Sequence, residues 1–464
     1  MATTPESVRL PQLSDAAAGK SPVAGPARSH PLSTIHPPAP TVRHLYIHTP
    51  FCVHKCHYCD FYSFVDTRDR QEAFVDRLID ELRALAPHCA ALDTIFVGGG
   101  TPSLLRIDLW QRVLLALDDL FDLSTIRRPW IAEHADPWRP VSCGEFTVEC
   151  NPESATSDLM AALHAGGVNR VSVGAQSFIP RHLKTLERWH DPDNVARAIE
   201  AARAAGIPRQ SLDLIFAIPG QTLEEWDADL RRALAMNTTH LSCYNLTYEP
   251  NTAMTKRLSL GEFTPAPEEL EEAMFSHTVS TLRAAGLDRY EVSNFARRGG
   301  GHESRHNIAY WVQSPWLGAG PSASSHVVQQ QHPTGGTGGS PAGDALQHHT
   351  TIPASHRYKN IPRLSDYLDS TGLSPIVDAE GPDPLRLIRE KLMMGLRLAQ
   401  GLDVTTLLPD LDALSPRAGE RLRRIAAAKH ALGQLIVSDH RWTLTDPGFL
   451  FCDAIAAEMM QAVR

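Results

Sequence analysis

Tyr46-Ile-His-Thr-Pro-Phe-Cys52-Val-His-Lys-Cys56-His-Tyr-Cys59-Asp-Phe61 is the stretch that decides the fold. A short β-rich run, Leu45–His48, leads directly into three cysteines spaced C-x-x-x-C-x-x-C. Thiolates are soft ligands that suit iron–sulfur clusters. A loop with this spacing can wrap three corners of a 4Fe–4S cubane through Cys52, Cys56 and Cys59, and it leaves the fourth iron open. Structural zinc is the competing reading, with His48, His54 or His57 as a fourth ligand. Zinc sites usually come as paired halves, and the sequence has no second C-x-x-C. His54 and His57 are read as exposed loop residues. The other cysteines, Cys89, Cys143, Cys150, Cys243 and Cys452, are scattered and fit small buried hydrophobes.

Outward from the cysteines, strand and helix patterns alternate. The strand candidates are Leu45–His48, Thr94–Val97, Phe146–Glu149, Arg170–Val173, Leu212–Phe216 and Leu241–Tyr244. Between and after them lie the helix patterns Gln71–Ala86, Leu104–Leu120, Ser157–Ala165, Asp193–Ala205, Leu223–Met236 and Pro267–Ala285. Six β–α units in a row predict an α/β protein with a parallel sheet, either open or closed into an incomplete barrel. Several strands end in polar or glycine-rich sequence: Gly98-Gly99-Gly100-Thr101-Pro102, Glu149-Cys150-Asn151-Pro152 and Gly174-Ala175-Gln176. Parallel barrels carry their chemistry at those ends. Glycines at Gly98, Gly99 and Gly100 let a backbone approach a ligand, although an ordinary tight turn explains them as well. Glu149 can accept from ribose hydroxyls, and Gln176, Arg188 and Asp213 can hold the rest of a nucleoside and an amino-acid carboxylate. Each alone reads equally well as a strand or helix cap; their recurrence at successive strand ends favours one shared ligand. That ligand fits the open iron, which can chelate the amino and carboxylate groups of S-adenosylmethionine (SAM). An electron passed to the sulfonium then breaks its C–S bond and yields a 5′-deoxyadenosyl radical.

The chain has 464 residues, 42% apolar and 21% charged, with a net charge of −9. This is the composition of a soluble globular protein, long enough for a barrel plus a smaller module. The acidic balance gives no general attraction to nucleic acid, and no apolar run is long enough for a membrane span. A cytoplasmic location is expected. Residues 1–40, rich in Ala, Pro and Ser, read as a disordered tail, with Glu6 and Asp15 arguing against a transit peptide. The barrel is expected over 41–300. Residues 301–380 hold the motif His306-Asn-Ile-Ala-Tyr310-Trp311 and a Gly-, Gln- and His-rich stretch, 328–355, read as a mobile surface insertion. Residues 381–464 read as an accessory domain: helices Leu385–Leu398 and Pro416–Leu432, then the strands Leu435–Ser438 and Arg441–Leu444. This order suggests a winged helix, but nothing basic or aromatic marks it as a nucleic-acid reader.

Taken together, Tyr46-Ile-His-Thr-Pro-Phe-Cys, the cysteine triad, Gly-Gly-Gly-Thr-Pro-Ser, Val-Glu-Cys-Asn-Pro-Glu, Val-Gly-Ala-Gln-Ser-Phe and Asp213-Leu-Ile-Phe-Ala-Ile-Pro-Gly-Gln-Thr resemble the coproporphyrinogen dehydrogenase family of radical SAM proteins. The resemblance runs from about Arg43 to the C-terminus, outside the Gly/His stretch. It implies a partial (β/α)6 radical SAM barrel with a helical, winged-helix-like C-terminal domain. It also implies SAM contacts at Tyr46, Tyr58, Gly99, Gly100, Thr101, Glu149, Gln176, Arg188 and Asp213. The oxidative decarboxylases of that family carry a fourth cysteine where this chain has Phe61. The haem-chaperone branch lacks it and carries H-N-x-x-Y-W, matched by His306–Trp311; Tyr290-Glu-Val-Ser-Asn-Phe-Ala and Glu390-Lys-Leu-Met-Met-Gly-Leu-Arg-Leu also resemble that branch. A neutral imidazole such as His306 can ligate iron, and Tyr310 and Trp311 offer flat faces to a porphyrin. Packing against the last barrel strand explains the same three residues. The branch implies haem as cargo, a haem-acceptor protein and an electron donor, and it allows a homodimer. It assigns no catalytic residue, and oxidative decarboxylation of coproporphyrinogen III is the alternative.

Overall fold

A computed structural model describes residues 42–129, 143–329 and 354–463. The expected tail, 1–40, lies outside the described residues. Six β–α units follow one another: β1 (Val42–Thr49) and α1 (Gln71–Leu85), β2 (Cys89–Gly99) and α2 (Ile107–Leu120), β3 (Glu145–Cys150) and α3 (Ser157–Ala165), β4 (Arg170–Gln176) and α4 (Pro192–Ala204), β5 (Arg209–Phe216) and α5 (Leu223–Ala235), β6 (His240–Asn245) and α6 (Glu268–Ala284). The six strands pair in parallel in chain order, with Tyr46 beside Phe96, Val97 beside Val148, and Asp213 beside Ser242. Local sequence explains the helices. α1 packs an apolar stripe of Phe74, Val75, Leu78, Leu82 and Leu85, at helical spacing, against the sheet. α5 starts with a capping box in which the Thr222 hydroxyl accepts from the Glu225 N–H and the Glu225 carboxylate accepts from the Thr222 N–H.

The sheet is wider than six strands. β7 (Leu287–Arg289) and β8 (Asn294–Arg297) add antiparallel strands beyond β6. On the other edge, β9 (Trp316–Ala319) pairs in parallel with β1, and β10 (Ser324–Gln329), β11 (Ala354–Asn360) and β12 (Ile376–Glu380) continue antiparallel. The order is β12-β11-β10-β9-β1-β2-β3-β4-β5-β6-β8-β7, which does not close on itself, so the barrel is incomplete. Residues 301–380 therefore contribute four strands, β9 to β12, to the sheet. The Gly/His stretch is also narrower than 328–355, because Val328–Gln329 and Ala354–Ser355 lie in β10 and β11; the rest of it lies outside the described residues. Buried Val327 and Tyr358 tie these strands to the barrel core, a long-range contact that a compositional reading passes over.

The C-terminal region has a core of its own. It comprises α8 (Pro384–Gly395), α9 (Leu407–Leu414), α10 (Pro416–Ala431) and α11 (Cys452–Ala462), with a three-stranded antiparallel sheet of β13 (Leu402–Asp403), β15 (Arg441–Leu444) and β14 (Leu435–Val437). It docks on the barrel beside β8: the Ala399 N–H donates to the Tyr290 carbonyl at 2.9 Å, and Arg283 and Arg289 meet Asp446. Among the described residues no helix is long and apolar enough to cross a membrane.

Candidate functional site

The cysteine loop is held from several sides. Its base is zipped by short pairing of Phe51 with Phe64 and of Cys52 with Val65. The His57 N–H donates to the Leu186 carbonyl at 3.2 Å, and the His57 carbonyl accepts from the Met254 N–H at 2.8 Å. Inside the loop, the Cys59 N–H donates to the Cys56 carbonyl. The three thiols stand free at the carboxyl ends of the barrel strands and line a cavity of about 620 Å³. No three His, Cys, Asp or Glu side chains among the described residues stand close enough to share one metal ion. A mononuclear zinc site is not drawn together here, whereas a cubane takes one thiolate on each of three irons.

Two of the thiols already have donors from other elements. The Thr101 hydroxyl donates to Cys52 Sγ at 3.6 Å, and Arg188 Nη1 donates to Cys56 Sγ at 3.7 Å. Burial pushes the Cys59 thiol up to about 11, against a backbone hydrogen bond from Phe61. Metal binding draws the proton off a buried thiol, because the thiolate is the ligand.

Across the cavity stand Glu149 and Asp213. Burial, reinforced by Asp213, pushes the Glu149 carboxyl up to about 8, against a hydrogen bond from the Gly99 N–H at 3.2 Å. Asp213 is raised by burial too, although the Ser172 hydroxyl donates to it at 2.9 Å. Gly98 makes this arrangement possible, since a Cβ there would lie 2.9 Å from Glu149 Oε2. Two buried neighbouring carboxyls whose charges repel suit a ligand that brings hydroxyl groups and positive charge, as SAM does with its ribose, its ammonium and its sulfonium. Ile215 and Leu246 add an apolar side to the same cavity. The residues present therefore fit both a three-cysteine cluster and SAM.

Tyr58, Gly99, Gly100, Thr101, Glu149, Gln176, Arg188 and Asp213 all line the cavity. Tyr46 lies one layer deeper. Its hydroxyl donates to His48 Nδ1 at 3.0 Å, and the His48 Nε2–H donates to the Tyr62 carbonyl at 2.7 Å, so Tyr46 supports the cysteine loop through His48. Sequence reading missed Asn245, Arg397 and Asp453 on the cavity wall. Asn245 ends β6 and was accessible to the strand-end rule. Arg397 and Asp453 come from the C-terminal domain, and no local signal points to them.

His306, Tyr310 and Trp311 lie apart from this cavity. They belong to helix α7 (Arg305–Trp311), whose start meets the opposite, amino-terminal end of the strands. Glu145, the first residue of β3 and fully buried, accepts from the Arg305 and His306 N–H groups at 3.2 and 3.3 Å. It also faces the buried Arg170 at 3.6 Å and Arg209 at 3.4 Å. Burial alone would raise the Glu145 pKa, but both arginines and both N–H groups outweigh it and hold the carboxyl below its usual value. The His306 ring stacks on Phe96 at 5.2 Å and meets Tyr310 at 4.6 Å. The Thr94 hydroxyl bridges His306 Nδ1 at 2.7 Å and His44 Nδ1 at 2.9 Å. Burial pushes His306 down to about 3, so its ring is neutral, and its Nε2 has no partner among the described residues.

Residues 46–233 match the family model described as the radical SAM superfamily, and residues 383–451 match the HemN C-terminal domain. A protein of Lactococcus lactis subsp. lactis named haem chaperone HemW is 30% identical over 357 residues, which is 77% of this chain and 82% of that one. The chain belongs to the HemW family of radical SAM proteins. A Mycobacterium tuberculosis protein of the same name is 31% identical over 424 residues, covering 90% of this chain and 94% of its own. The solved coproporphyrinogen III oxidase (HemN) of Escherichia coli superposes with a TM-score of 0.68 over 90% of both chains at 20% identity, which establishes the shared fold. Membership in the radical SAM superfamily implies a 4Fe–4S cluster and SAM.

Proposed function

We propose that this protein is a haem chaperone, which binds haem and passes it to an acceptor protein while holding a 4Fe–4S cluster on Cys52, Cys56 and Cys59 with SAM beside it. The observation that carries the reading is the match to HemW proteins over most of the chain, with Phe61 at the position where the oxidative branch has its fourth cysteine. Phe61 is 59% exposed on the rim of the cavity and offers no thiol there. The cluster and SAM supply one-electron cleavage of the sulfonium C–S bond when they are bound. The chain's own part is to present the three thiols, to meet the ribose and ammonium with Glu149 and Asp213, and to hold the methionine carboxylate with Arg188.

For the cargo, His306 is the proposed iron ligand. Its support is a neutral ring with one nitrogen fixed by Thr94 and the other unpartnered. Because the ring is only 1% exposed, ligation requires α7 to leave the barrel floor. The test pairs two assays on the anaerobically reconstituted protein. Haem titration should give a defined complex that His306→Ala weakens by at least tenfold. Coproporphyrinogen III with SAM, reductant and an electron acceptor should yield no protoporphyrinogen IX above a control without SAM, with an authentic oxidase run alongside. Product formation would make the protein an oxidase, and unchanged haem affinity in His306→Ala would return that ring to packing.

A further inference from the structure

The Arg188 side chain makes a contact that SAM binding does not account for. It follows the short helix Pro180–Thr185, and its backbone N–H is tied to the Leu183 carbonyl at 2.8 Å. Its guanidinium is nearly enclosed by protein. Nη2 donates to the Gly174 carbonyl at 3.1 Å, Nη1 donates to Cys56 Sγ at 3.7 Å, and Nε has no partner among the described residues. Gly174 leaves room for this pose, because a Cβ there would lie 2.9 Å from Arg188 Nη2. The other side-chain donors on the triad are neutral: the Thr101 hydroxyl on Cys52 at 3.6 Å and the Tyr58 hydroxyl on Cys56.

We propose that Arg188 sets the reduction potential of the cluster by holding a buried positive charge against the Cys56 thiolate. This rests on the three-cysteine cluster reading. One-electron reduction adds a negative charge to the cluster, and charge and hydrogen bonds at the sulfurs are among the terms that set its potential. A cation in direct contact, in a poorly screened site, stabilises the reduced form more than the oxidised form. Arg188 thus makes the cluster easier to reduce, while its free Nε remains available to the cofactor. The guanidinium suits the task because it stays charged when buried and donates in two directions at once.

The test is a reductive titration of the reconstituted full-length protein without SAM, followed by the electron paramagnetic resonance of the reduced cluster. Iron and sulfide content is measured first. At the potential where half of the native cluster is reduced, Arg188→Gln should lower the reduced-to-oxidised ratio at least tenfold, equivalent to about 59 mV for a one-electron couple. Arg188→Lys, which keeps the charge and loses the fork, should lie between the two. Thr101→Val should lower the ratio by about threefold, because a neutral donor is roughly half as strong as a charged one. Arg188→Gln titrating with the native protein would overturn the proposal. So would failure of both Arg188 variants to hold iron, which would make the residue necessary for loading instead. Failure of the native protein to hold iron and sulfide would count against the cluster reading itself.

Discussion

Replacing Glu145 by Gln keeps the side-chain size and an acceptor oxygen but removes the negative charge that faces both Arg170 and Arg209 at the barrel floor. Both arginines are buried, at 2% and 0% exposure. Leaving buried charge without its partner costs about 3–5 kcal/mol. The amide also brings its own donors toward two guanidiniums and weakens the anchor for the α7 N-terminus, worth a further ~1 kcal/mol. At about 2–4 °C per kcal/mol for a unit of this size, Glu145→Gln should melt on the order of 10 °C below the native protein at pH 7. Adding Arg170→Met should recover part of the loss by removing one of the two guanidiniums that face the new amide. The pH dependence supplies a second check. The folded pKa of Glu145 lies below its unfolded value, so its contribution is complete above about pH 4.3 and is lost as the pH falls through the lower folded value. The gap between native and variant should therefore be widest near neutrality and close in acid. Differential scanning fluorimetry across pH measures both effects. A melting temperature within about 2 °C of native at pH 7, on the same scale, would refute the account of the floor as an ion-paired plug.

Cys56→Ala should abolish the visible iron–sulfur absorbance after anaerobic reconstitution, checked by iron and sulfide analysis; full retention of both would remove the cluster assignment. Glu149 behaves in the opposite sense to Glu145. Its pKa is raised to about 8, so its neutral form favours the fold below about pH 4.3 and this contribution is lost as the pH climbs toward 8. Without SAM, native stability relative to Glu149→Gln should fall over that window by at most about 1.4 kcal/mol per pH unit, and by less where cavity water screens the carboxylate. Parallel melting curves for the two proteins between pH 5 and 8 would sink this reading.

Local periodicity carried most of the barrel. Each of the six strand candidates from Leu45–His48 to Leu241–Tyr244 lies inside an observed strand, and Ser157–Ala165 is a helix from end to end. These elements pair with sequence neighbours, so period and capping suffice to find them. Trp316–Ala319 went unread because its partner is β1, far back in the chain, and a short apolar run says nothing about such a mate. The limits of the Gly/His stretch were misplaced for the same reason: Val328 and Ser355 are strand residues only because they face one another.

The site divides along the same line. The sequence by itself determined the ligand chemistry: three soft thiolates in one loop and polar residues at successive strand ends, both consequences of spacing along the backbone. Only the tertiary structure decided what those groups meet. The folded sheet brings Arg188 onto Cys56 across 132 positions, the docked C-terminal domain adds Arg397 and Asp453 to the cavity wall, and α7 carries His306 to the opposite end of the strands. That placement depends on Glu145, 161 positions earlier in the chain. A buried charge needs a partner wherever the fold can supply one, and no local pattern in the chain says where that will be.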